Sequence, residues 1–172
     1  VRYGDIWNSA NLDNKHQVLD MTPSLRKTSV VGILALASMA LFMVLVFEDV
    51  RAFQDADWHQ LPLALVARYA VAMGLAGALV GYLLYGMFGK SGLKGWALAW
   101  LGGFLVATIA GIVGSAVGLV PDLIADGPRT GAIIAIFAGA LVLPLALIGW
   151  PLLLLIWIVL VSLAHIIARS GK

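Results

Sequence analysis

The chain has 172 residues, 62% of them hydrophobic and only 12% charged, and its mean hydropathy is +0.99. Soluble domains carry about 25% charged residues, so this balance excludes an ordinary globular domain and indicates an integral membrane protein. The net charge of +2 is eleven Lys and Arg against nine Asp and Glu, the basic residues dispersed mainly at the ends of apolar runs, which speaks against a nucleic-acid surface, and the absence of cysteine excludes disulfides, thiolate catalysis, iron–sulfur clusters and Cys-based zinc sites.

The opening segment, residues 1–27, mixes Tyr3, Ile6, Trp7 and Leu12 with Asp5, Asp13, Lys15, His16 and Asp20. Asn11 is suited to cap a short helix over residues 12–20, whose Leu12 and Leu19 share a face. Such an arm is expected to lie on the membrane surface or on a partner. Its polarity speaks against a cleavable leader within it.

Thr22-Pro23 is a helix start, with Thr22 as cap and Pro23 at the first helical position. The uncharged stretch Thr28 to Phe47 is one span long, and Glu48 ends it. The connection that follows is the most acidic in the chain, with Asp49, Asp55 and Asp57 beside the interfacial aromatics Phe53 and Trp58. Leu61-Pro62 starts a second helix, broken in charge only by Arg68. A basic turn, Lys90 to Lys94, leads to a third uncharged run from Gly95 to Pro121, and Gly127-Pro128-Arg129 marks the next turn.

The last run, Thr130 to Ala168, contains no Asp, Glu, Lys or Arg. As one helix it would extend roughly 58 Å, against a hydrocarbon core of about 30 Å. Pro144, Gly149 and Pro151 lie inside it, so a break, tilt or kink is required. A five-span alternative folds the chain back around Gly149 to Pro151, which would leave backbone groups of a charge-free turn to be satisfied in lipid or protein.

Lys and Arg concentrate in short cytoplasmic segments. With the N-terminus inside, Arg2, Lys15, Arg26, Lys27, Lys90 and Lys94 are inside, and four spans place Arg169 and Lys172 there as well. The expected fold is therefore all-α and integral to the membrane. It has four transmembrane helices at about 28–47, 66–89, 95–120 and 130–168, the last long and Pro-kinked, between a cytoplasmic arm 1–27 and a cytoplasmic tail 169–172. A bacterial inner membrane suits this pattern.

The most specific pattern is a stripe of small residues on the second and third helices. Gly74, Gly77, Ala78 and Gly81 recur at helical spacing, and Gly103, Ala107, Gly111, Gly114 and Gly118 continue it on the next helix. In lipid, such stripes let helices approach closely, so the two helices are expected to form a tight antiparallel pair. The functional alternative is a glycine-lined groove for a lipid tail, quinone or pigment. Arg68 is either an intramembrane charge or an interfacial anchor whose stem lies along apolar surface. Asp55, Asp57 and His59 cluster without the spacing of a known metal site. His165, near the inner end of the last helix, is a candidate pigment or partner contact. Pro144 and Pro151 are candidate kinks.

No catalytic set, phosphate-binding glycine loop or HExxH stands in the sequence, and no acid lies inside a span. The expectation is a non-catalytic accessory or assembly subunit of a larger membrane complex, in contact with other subunits and lipid. No cofactor of its own is expected. The alternative is a small oligomeric transporter or channel lined by the Pro-broken helix.

Overall fold

The structure, a computed structural model, describes residues 22–52, 63–127, 130–141, 145 and 148–170. The arm up to residue 21, the Asp55, Asp57 and His59 cluster, and Pro144 lie outside them. The described residues fold mainly as helices: α1 (Pro23–Ala52), α2 (Leu63–Leu83), α3 (Gly92–Asp126), α4 (Thr130–Ala138) and α5 (Pro151–Arg169), with 3-10 turns at Tyr85–Met87 and Gly139–Leu141, and Leu145, Ile148 and Gly149 between them are also helical. Stretches of α1, α2, α3 and α5 are each long and apolar enough to cross a membrane, which makes four candidate spans.

Local chemistry sets the ends. Thr22 caps α1 as expected, its Oγ1 accepting from the Leu25 N–H at 3.4 Å. Gly127, at φ 77°, closes α3 by donating its N–H to the Leu123 carbonyl. The α2–α3 turn needs two left-handed positions, supplied by Gly89 and Gly92 at φ 76°, where a side chain would be strained. That turn ends α2 at Leu83, earlier than residue 89, whereas α3 runs through Pro121 to Asp126.

Facing residues fix the pairing. On α1 and α2, Gly77 meets Ser38 and Gly81 meets Leu34; on α2 and α3, Gly114 meets Met73 and Gly118 meets Tyr69; on α3 and α5, Gly103 meets Val161 and Trp157. Numbers rise on one helix as they fall on the other in the first two pairs, and Trp96 against His165, with Gly103 against Val161, shows the same for α3 and α5, so all three pairs are antiparallel. Val30, Leu34, Val106 and Val161, essentially fully buried, form the centre.

Two expectations need correction. The small-residue stripe of α2 does not face α3: Gly74, Gly77 and Gly81 pack on Met39, Ser38 and Leu34 of α1. The stripe of α3 serves three neighbours in succession, because a helix this long meets α5, the Gly139 turn and α2 at different heights. Helices α2 and α3 are antiparallel neighbours as expected, through the glycines of α3 alone.

The second correction concerns residues 130–168, which are not one kinked helix. The first helix stops at Ala138, and Gly139 backs onto Gly111, where a Cβ on either residue would overlap the other's carbonyl oxygen. A new helix starts at Pro151, after an extended Trp150. Pro151 is thus a helix start rather than a kink, at a position where the missing N–H breaks no bond. At nine residues, α4 is roughly 14 Å long and cannot cross a bilayer.

Candidate functional site

The start of α1, the α2–α3 turn and the end of α5 share one end of the bundle. Lys27 Nζ sits 3.5 Å from the centroid of the Tyr82 ring, a cation held on an aromatic face. Gly89 lies against Ala168. Lys90, Lys94 and Arg169 are at this end, whereas Asp126 is at the other.

His165 is the most constrained polar residue here. It was expected at the interface and is instead 0% exposed, inside the bundle. The Gly89 N–H donates to its Nδ1 at 3.2 Å, and the Trp96 ring packs on it with centroids 4.5 Å apart. A neutral imidazole has one donor and one acceptor nitrogen. Since Nδ1 accepts, Nε2 carries the proton, and Nε2 is buried without a hydrogen-bond partner.

In that tautomer the ring presents a donor, Nε2–H, rather than an acceptor. Sequence reasoning missed Gly89 and Trp96 as its companions. The turn glycines were a visible signal, but nothing local tied them to a residue 76 positions away.

Two cavities open beside this ring and have Arg169 in common. One of about 480 Å³ is lined by Gly89, Lys90, Ser91 and Arg169. The other, of about 360 Å³, is lined by Trp96, His165, Ile166, Arg169 and Ser170. A third, of about 390 Å³, lies between α3 and α4 at the opposite end, with Asp126 and Gly131 in its wall.

The remaining candidates are dispersed. Arg68 is half-buried, its guanidinium carbon 5.7 Å from the Tyr69 ring centroid, near the Asp126 end. Gly74, Gly77, Gly81, Gly103, Gly111, Gly114 and Gly118 all have protein atoms within 4 Å of a Cβ position. Along these residues the glycine faces are occupied by the chain's own atoms, as helix packing requires, rather than left as an open groove. Ala107 is buried in the core and Ala78 is half-buried. Among the described residues no group of three or more His, Cys, Asp or Glu could hold a metal ion.

Set against family models, curated proteins and solved structures, the chain matches none.

Proposed function

We propose that this protein is a non-catalytic subunit of a larger membrane assembly, acting through helix packing and lipid contact. The observation that carries the reading is the division between interior and surface. Among the described residues, the buried polar side chains are Ser38 and His165. Ser38 donates to the Leu34 carbonyl of its own helix, and His165 is held at one end. Apart from Ser38 and the buried Thr108 hydroxyl, the middle of the bundle is hydrocarbon, and its glycines are filled by neighbouring helices. Large apolar side chains are turned outward instead: Val71, Leu75 and Leu79 on α2, and Leu152, Val159 and Leu163 on α5. Such faces suit lipid and partner helices. The Lys90 and Arg169 end is taken as cytoplasmic, by the positive-inside bias, in a bacterial inner membrane.

Gentle detergent extraction followed by native mass spectrometry tests this. A hetero-complex of defined mass is expected. Recovery solely as a monomer or homo-oligomer would refute the reading.

The interruption between α4 and α5 favours a second reading, a small transporter or channel, because broken helices inside membranes often border transport sites. Flux through liposomes carrying the purified chain, lowered by Arg68→Ala, would support it. No flux, or flux indifferent to the substitution, would remove it.

A further inference from the structure

We propose that the end of the bundle formed by the α2–α3 turn and the last turn of α5 binds a phosphate-bearing anion, with His165 Nε2–H as its buried donor and Lys90 and Arg169 as its cations. Four observations converge. The first is the orphaned donor: Nε2 is protonated because Nδ1 accepts from Gly89, yet it has no acceptor within a fully buried residue. Buried polar groups are ordinarily paired, so a lone donor on a residue that lines a cavity calls for an acceptor that occupies it.

The second is charge. Lys90 and Arg169 line the two adjoining cavities, and no carboxylate among the described residues lies at this end to neutralise them. The third is donor content. Lys90, Arg169 and the Ser91 hydroxyl offer protons, and Ser170 Oγ already donates to the Ile167 carbonyl at 2.9 Å. A ligand made of acceptors fits this set, and a phosphate presents several around one negative centre. The fourth is the apolar part of the wall. Trp96 and Ile166 line the cavity beside His165, and Ile166 is 53% exposed. A phosphate carrying an acyl chain would lay its apolar portion there, as tryptophans at headgroup level do for lipids.

The shared chemistry is a phosphate, supplied by an anionic phospholipid or as the free ion, and one experiment separates the sources. The full chain, purified in mild detergent, is titrated with phosphatidylglycerol and with phosphatidylcholine by native mass spectrometry, and the imidazole nitrogens are followed by ¹H–¹⁵N spectra. Phosphatidylglycerol is expected to bind more tightly than phosphatidylcholine and to shift the His165 Nε2 resonance. Arg169→Gln, at an exposed position, is expected to weaken binding about tenfold or more without changing helical content, whereas Arg68→Gln at the other end leaves it unchanged. Displacement of the lipid by millimolar inorganic phosphate, with the same resonance shift, identifies the free ion as a ligand. Failure to displace it identifies the lipid headgroup. Equal binding of both lipids, wild-type affinity in Arg169→Gln, or an unmoved Nε2 resonance each overturns the proposal.

Discussion

Gly111 of α3 and Gly139 of the turn after α4 meet backbone to backbone, so that a Cβ on either would overlap the carbonyl oxygen of the other. This contact fixes how deep α4 descends beside α3. Alanine at Gly111 would gain about 0.5–1 kcal/mol of helix propensity, but the overlap costs about 1–3 kcal/mol. Gly111→Ala is therefore expected to lower thermal stability in detergent, and Gly139→Ala likewise. The same separation of the two backbones accommodates either side chain, so the double variant should lose less than the two losses added. Unchanged melting in both single variants would argue against the contact.

A second prediction contrasts two glycines on one helix pair. Gly32 on α1 has no atom within 4 Å of a Cβ position, whereas Gly77 on α2 would place one 2.8 Å from Ser38 Cβ. Gly32→Ala should stabilise by about 0.5–1 kcal/mol through helix propensity. Gly77→Ala should destabilise by about 1–3 kcal/mol through overpacking. The opposite signs are the check, read from paired unfolding curves under one detergent condition.

These two sites also show where the sequence was readable. Uncharged length, Thr22-Pro23 and Gly127 are local signals, and they mark four candidate spans, the start of α1 and the stop of α3, because length and capping are decided within a few residues. The partner of a glycine is not local: helical spacing at Gly74, Gly77 and Gly81 reports a close approach without saying to what, and α1 rather than α3 fills it. Pro151 read as a kink because a proline inside a long apolar run looks the same whether the helix passes through it or begins there. What distinguishes the cases is the extended backbone of Trp150, which depends on where α4 stops, and hence on Gly111. The His165–Gly89 bond has the same character.

That bond ties the α2–α3 turn to α5. Replacing His165 with Phe keeps an aromatic ring against Trp96 but leaves the buried Gly89 N–H without an acceptor, a loss of about 1–3 kcal/mol. His165→Phe is expected to lower stability by that amount and to speed amide exchange at Gly89. An unaltered exchange rate at Gly89 would mean that its N–H does not depend on the imidazole.

The chain contains no native cysteine, so single cysteines can report which side of a membrane each connection occupies. Helices α1, α2 and α3 alternate in direction, and α5 is antiparallel to α3, with Gly89 against Ala168. The start of α1 and the end of α5 therefore share an end, while the α3–α4 turn at Gly127 lies at the other. Helix α4 descends only to the level of Gly111, partway along α3, and adds no crossing. Thr22→Cys and Ser170→Cys should accordingly react with an impermeant maleimide from the same face of sealed vesicles, and Gly127→Cys from the opposite face. Labelling of Gly127→Cys and Ser170→Cys from one common face would mean that α4 and α5 together cross an even number of times, and would overturn this arrangement.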